Sequence, residues 1–230
     1  MDDLLTRTRL LLGSENVETL LLKHVMVVGL GGVGGTALEC LARSGIQHFI
    51  LVDNDTVTVT NLNRQILFVH ADIGKVKVDV AKQRLLAINP KIIVDARHLL
   101  VTAESIKSFE QEPIDFIVDA IDDIDAKAAL IGFALEHNIP IISSLGMGKR
   151  LSAEAVQVTN LEKTHDDPLA KKLRHLLRAQ NIDPKKVAVV FSKESPRSIG
   201  PQLSSMMMVP SAAGLQLAGY VLMSLSKITL

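Results

Sequence analysis

The stretch "HVMVVGLGGVGGTALECLARSG", residues 24–45, constrains this chain more than any other part of it. An apolar run rich in branched residues runs into closely spaced glycines and then into a helical pattern. Gly29, Gly31 and Gly34 fit G-x-G-x-x-G, and Gly32 lies among them. At the end of a strand this spacing lets the backbone approach a phosphate, with the unpaired amides and positive dipole end of the next helix facing it. Asp53 closes the second apolar run, where an acid can accept ribose hydroxyls. An NAD enzyme and an ATP enzyme need the same residues to this point.

The same alternation continues down the chain. Runs at 24–30, 48–53, 91–98, 115–121 and 139–146 suit strands buried on both faces, and helical patterns at 34–44, 74–88, 103–110 and 124–137 separate them. Strand and helix taking turns predicts an α/β fold, a Rossmann-like doubly wound and mostly parallel sheet with helices on both faces. A further strand is expected at 154–161. The chain divides into an N-terminal helical arm (1–23), a nucleotide-binding domain (24–161) and a C-terminal extension (162–230) that completes the same domain. That extension holds an amphipathic helix at 166–180, a Ser- and Pro-rich mobile loop at 192–205 and an apolar segment at 206–225. Pro210 and Gln216 favour a buried terminal helix over a membrane span for the last of these.

Composition removes several classes of function. Lys and Arg total 25 and Asp and Glu total 25, so any polyanion must be held by a local patch. The single cysteine, Cys40, leaves no intrachain disulfide and no zinc site built on two thiolates. Its neighbours Leu38, Leu41 and Ala42 mark it as an inert thiol on a packed helix. No pair among the 7 histidines has metal-ligand spacing with acids, and His165 reads as a loop residue. The acidic start, "MDDLLTRTRLL", lacks the basic stretch of a secretory signal, so a cytoplasmic protein with no membrane partner is expected.

The residues after Asp53 bear on which nucleotide is held. "DNDTVTVTNLNRQ" sets Asp55, Asn61, Arg64 and Gln65 beyond the nucleotide edge, Lys77 follows, and "DAIDD" brings Asp119, Asp122 and Asp123 to the carboxyl end of the fourth run. Cations beside a triphosphate neutralise charge, and a carboxylate facing them can hold magnesium. Hydride transfer does not require that set. An NAD-linked oxidoreductase and a nucleotide-sensing module without turnover are the alternatives from other classes.

From about Arg9 to Leu161, through "GLGGVG", "VDNDTVTVTNLNRQ", "AINP" and "VDAIDD", the chain resembles the ThiF/MoeB/HesA group of ATP-dependent adenylating enzymes, relatives of ubiquitin-activating enzymes. The resemblance implies that ATP and Mg2+ are bound and that a carboxylate attacks the α-phosphate. Asp53 would contact the ribose, Asn61, Arg64 and Lys77 would surround the phosphates, and Asp122 would hold the metal. Lys75 competes with Lys77 for the phosphate lysine. Arg9 would reach the phosphates of a neighbouring subunit, which implies a homodimer.

Members that activate a ubiquitin-like or sulfur-carrier protein often carry a cysteine nucleophile and zinc-binding CxxC pairs, which this chain lacks. Beyond residue 150, "VQVTNLEKTHDDPLAKKLRHLL" is similar to the branch that dehydrates threonylcarbamoyladenosine at tRNA position 37. There the activated carboxylate closes within its own substrate and no enzyme thiol is needed. Lys171, Lys172, Arg174, His175 and Arg178, with Lys185 and Lys186, would on this resemblance face tRNA phosphates, whereas charge alone reads them as a solvated helix face. Lys149 and Arg150 are candidates for phosphate or RNA contact, with plain solvation as the other reading. Adenylation of the C-terminal glycine of a small sulfur-carrier protein is the first rival activity.

Overall fold

The computed structural model describes residues 3–198, 200, 202 and 204–226. Two short helices, α1 (Thr6–Leu12) and α2 (Ser14–Leu21), precede β1 (His24–Val28), α3 (Gly32–Ser44), β2 (His48–Asp53), α4 (Lys77–Ile88) and β3 (Ile93–His98). Then follow β4 (Phe116–Asp119), α5 (Ile124–Glu136), β5 (Ile141–Ser144), β6 (Val156–Asn160), α6 (Pro168–Ala179), β7 (Ala188–Ser192) and α7 (Met208–Ser226). The seven strands form one sheet in the order β3-β2-β1-β4-β5-β7-β6. All neighbours are parallel except β6 and β7, which are antiparallel.

The pleat distributes the apolar strand residues to both faces. Val25, Val27, Phe49, Leu51, Phe116 and Val118 pack with α3, α4 and α7. Met26, Val28, Ile50, Val52 and Ile117 pack with α5 and α6 on the other side. Side chains of both parities therefore have to be apolar, which is why these strands read as continuous hydrophobic runs rather than alternating ones. β3 lies at an edge, and Ile93 there is exposed.

α7 is the one described helix long and apolar enough to cross a membrane, and it lies instead against α3 within the core. The crossing is close at Gly214, where a Cβ would sit 2.5 Å from the Val33 carbonyl oxygen. Only a glycine lets the two helices meet at that distance.

Three local expectations differ from the fold. The segment expected as a helix over 103–110 is a 3-10 turn, Ser105–Phe109. Thr102 and Ser105 exchange side-chain hydrogen bonds with each other's amides, and Pro113 follows too soon for an α-helix to build. The helix expected from 74 starts at Lys77, because Gly74 has φ +87° and Val76 forms a bridge with Thr56. The run Ala188–Ser192, left unassigned by the pattern, is β7, and it enters the sheet between β5 and β6.

Candidate active site

The chain leaves β1 for β2 and β3 on one side and returns to β4 on the other. β1 therefore has β2 and β4 as neighbours, and the connections depart in opposite directions at its carboxyl end. Crevices at such a switch point are where open α/β sheets bind ligands. A cleft of about 930 Å³ opens there, lined by the ends of β1, β2, β4 and β5. That volume is in the range of small-molecule sites.

The glycine turn is built for close approach. Gly29 has φ +87°, and a Cβ there would lie 2.7 Å from the Ala120 carbonyl oxygen. At Gly34 a Cβ would lie 1.8 Å from the Gly29 oxygen, so α3 can seat against the turn only without a side chain. Gly31 occupies the N-cap of α3 with no side-chain cap, and Gly31 and Gly32 line the cleft. The first amides of α3 thus face the cleft with the positive end of the helix dipole.

Asp53 lies on the cleft floor and is nearly buried. Its Oδ2 accepts the Leu30 amide at 2.6 Å and its Oδ1 accepts the Asp55 amide at 2.8 Å. Burial pushes this carboxyl above its ordinary value, against the Lys77 charge and the two amide bonds. Its visible task is to hold the glycine turn to the end of β2, with little of the carboxylate left open. Asp55 is the more open acid and accepts a bond from Lys77 Nζ at 2.6 Å.

The two lysines differ in position. Lys77 begins α4, is buried at the cleft wall, and stands 4.0 Å from Asp53 as well. Lys75 is exposed, pairs with Asp72 at 3.0 Å and does not line the cleft. Asn61 and Arg64 share the same wall. The Asn61 side-chain oxygen accepts the Thr58 amide, leaving its NH2 group available, and Arg64 folds back onto the Thr60 oxygen at 2.8 Å. Gln65 is buried with Oε1 lacking any hydrogen-bond partner among the described residues. A buried carbonyl left without a donor in a ligand cleft fits a bound molecule that supplies one.

Asp119 corrects an expectation. It does not line the cleft; it is fully buried, its Oδ2 accepting from the equally buried Lys127 Nζ at 2.7 Å and its Oδ1 from the Ile121 amide at 3.1 Å. The β4 register turns this side chain inward under α5, so Asp119 supports the loop that follows instead of touching a ligand. Asp123 caps α5 through the Ala126 amide. Asp122, between them in the chain, is exposed at the cleft and accepts no hydrogen bond from the described residues.

The far wall comes from the C-terminal third of the chain. Arg150 is buried and donates to the Gly146 and Glu194 carbonyls and to Asp167, so it ties this wall together and is neither solvated nor free for RNA. Lys149, at φ +60°, donates through Nζ to the Gly200 oxygen at 2.5 Å. Arg197 was missed by sequence reasoning. It lines the cleft from the loop after β7, held by its amide to the Lys149 oxygen. A lone arginine in a Ser- and Pro-rich loop carries no pattern that marks it.

The remaining candidates fall outside the cleft. Arg9 pairs with Glu18 at 2.6 Å and does not line the cleft of its own chain. His165 is an exposed loop residue beside Asp166. Cys40 is half-buried against the core, and burial raises its thiol pKa, as suits an inert side chain. On α6, Arg174 turns inward to the Leu161 and Thr164 carbonyls and Arg178 grips Glu162 at 2.7 Å. Arg174 is thereby withdrawn from the open basic face, whereas Arg178 stays exposed but is neutralised by Glu162. Lys171, Lys172, His175, Lys185 and Lys186 are exposed.

A glycine cradle with uncapped helix amides, flanking cations and an open carboxylate is a donor set that fits a nucleoside triphosphate. Comparison with known proteins gives the same family: residues 5–226 match the ThiF family. The chain belongs to the ThiF family. Within that family it is 39% identical over 240 residues to the tRNA threonylcarbamoyladenosine dehydratase of Bacillus subtilis, covering 96% of this chain and 94% of that one. Its fold is similar to the crystal structure of the Escherichia coli tRNA N6-threonylcarbamoyladenosine dehydratase in complex with ATP, with a TM-score of 0.91 and 34% identity over 96% of this chain and 93% of that one. The sulfur carrier protein ThiS adenylyltransferase of Escherichia coli is 35% identical over 139 residues, 60% of this chain and 55% of that protein.

Proposed function

We propose that this ThiF-family chain is an ATP-dependent tRNA threonylcarbamoyladenosine dehydratase, forming the cyclic nucleoside at tRNA position 37 by adenylating a carboxylate. One observation carries the choice of reaction: the likeness to the dehydratases extends over nearly the whole chain, through β6, α6 and β7. The likeness to the sulfur-carrier enzyme covers little more than half of it. The ATP-bound relative supports the choice of nucleotide.

In this reading the nucleotide phosphates lie over Gly29, Gly31 and Gly32 at the start of α3. Arg64 and Lys77 stabilise the negative charge that builds at the α-phosphate and on departing pyrophosphate. Asn61 and Gln65 offer an amide donor and acceptor, and Asp53 and Asp55 lie on the ribose side. Asp122 holds Mg2+, an ion that is commonly bound by one or two protein carboxylates together with substrate phosphates. The substrate carboxylate oxygen bonds to the α-phosphorus as the bond to pyrophosphate breaks. The carbamoyl group of the same side chain then closes onto the activated carbonyl and AMP leaves with the carboxylate oxygen, a net loss of water. Catalysis is positioning and charge stabilisation, so the absence of a cysteine in the cleft costs the reaction nothing.

The active unit is a homodimer in which Arg9 reaches the partner's cleft. Two features support this. Arg9 does not line its own cleft, and the adjacent Leu10 and Leu11 of α1 are 83% and 82% exposed, an apolar surface suited to burial against another chain. A tRNA substrate sets the work in the cytoplasm. The reading is tested by AMP and pyrophosphate release: both must depend on tRNA that carries threonylcarbamoyladenosine, and release with a carrier protein alone would favour the rival activity.

A further inference from the structure

A chain of no net charge must recruit a polyanion through a local surface, and the surroundings of α6 contain one. The helix buries Ala170, Leu173 and Leu177. Its opposite face carries Lys171, Lys172 and His175, with His175 four and three positions beyond the two lysines, the spacings that share a side of an α-helix. The 3-10 turn Pro184–Lys186 packs against α6 and adds Lys185 and Lys186. All five side chains are exposed and lack a hydrogen bond or ion pair with any described residue. Nearby acids are already committed. Glu162 is held by Arg178, Asp167 caps α6 and bonds Arg150, and Asp183 caps the turn that bears Lys185.

Placement gives this face a direction. Asp167, Pro168 and Leu169, at the start of α6, line the catalytic cleft. The twelve-residue helix then leads away from the cleft rim for about 18 Å at the rise of an α-helix. A basic stripe that begins at a cleft rim and runs outward matches a substrate whose reactive group enters the cleft while its phosphate backbone lies across the neighbouring surface. A compact anionic metabolite would not reach the far end of the stripe.

We infer that Lys171, Lys172 and His175 of α6, with Lys185 and Lys186 of the adjoining turn, form the surface on which the tRNA backbone docks beside the cleft. This rests on the tRNA reading above and adds where the RNA is held. It also divides the basic residues of the segment. The five without a partner bind phosphate, whereas Arg174 and Arg178 are engaged by residues 161–164.

The test compares full-length wild type, the variant Lys171→Gln/Lys172→Gln/Lys185→Gln/Lys186→Gln, and Arg178→Gln. Binding of tRNA is measured over a range of salt, alongside ATP binding by calorimetry and dehydration by nucleoside mass. The fourfold variant should bind tRNA at least about tenfold more weakly, with the log-affinity against log-salt slope shallower by about one for each phosphate no longer neutralised. Its ATP affinity should match wild type, which shows that the fold is intact, and Arg178→Gln should bind tRNA as wild type does. Unchanged tRNA affinity and slope in the fourfold variant overturns the docking surface, even if wild type dehydrates the nucleoside. If that variant instead loses only binding to phosphatidylserine vesicles, the surface serves a membrane and the proposal also falls. Failure of the functional reading has its own signature: wild type binds tRNA and no preparation alters the nucleoside.

Discussion

Asp119 and Lys127 form an ion pair inside the molecule, Oδ2 to Nζ at 2.7 Å with both side chains fully buried, directly beneath the loop that presents Asp122 to the cleft. Asp119 also accepts the Ile121 amide, so the pair connects the end of β4, α5 and the cleft loop. Removing one partner of such a pair strands a buried charge. Lys127→Met should lower the free energy of unfolding by about 3–5 kcal/mol, read from the shift in denaturant midpoint. The double variant Lys127→Met/Asp119→Asn should recover part of that loss. Equal stability for wild type and Lys127→Met would show that the pair contributes nothing.

Lys77 and Lys75 separate phosphate chemistry from surface charge. Lys77→Ala should lose about 10²-fold or more in turnover, as expected for a group stabilising charge in the transition state, while Lys75→Ala stays near wild type. Pyrophosphate release under saturating substrates measures both. The opposite order would move the site to the exposed lysine.

Glu39 predicts part of the pH dependence of stability. Burial raises its carboxyl, but hydrogen bonds from Arg84 and Arg43, and their charges, outweigh that and leave the group below its ordinary value. A carboxyl depressed in the folded state contributes stability that is present above its unfolded pKa of about 4.3 and is lost as pH falls through the folded value. The clamp joins α3 to α4 through Arg84 at 3.0 Å. Glu39→Gln should therefore be less stable than wild type at neutral pH, and the difference should shrink on acidification below about pH 4. Melting temperatures from neutral to acid pH test this, and a gap that widens in acid would contradict it.

Arg9 tests the arrangement of subunits. Arg9→Ala and Asp122→Ala should each be nearly inactive alone. Mixed heterodimers should regain activity, because one cleft in each would then hold an intact Asp122 with the partner's Arg9. Lack of recovery in verified heterodimers would place Arg9 outside catalysis.

Much of the site was legible in the sequence because its constraints are local. Gly29, Gly31 and Gly34 occur where backbone approach excludes a side chain, and Asp53, Asn61, Arg64 and Lys77 follow within one strand-to-helix connection. Burial was harder to read. "DAIDD" holds three aspartates, and only the folded chain decides that the pleat turns Asp119 into the core while the following loop sets Asp122 at the cleft and Asp123 at a helix N-terminus. Lys149, Arg150 and Arg197 depend on where the chain returns after β5 and β7, an arrangement that no spacing encodes. β7 itself was a short apolar run between a basic helix and a polar loop, and its place in the sheet came from long-range pairing with β5 and β6.

The central claim is most directly tested by the mass of the modified nucleoside. tRNA bearing threonylcarbamoyladenosine is incubated with the protein, ATP and magnesium, then digested and analysed, beside reactions lacking ATP or containing the Asp122→Ala variant. The account predicts loss of one water from that nucleoside only when active protein and ATP are both present. An unchanged nucleoside in the complete reaction, with a sulfur-carrier protein driving pyrophosphate exchange into ATP instead, would contradict it.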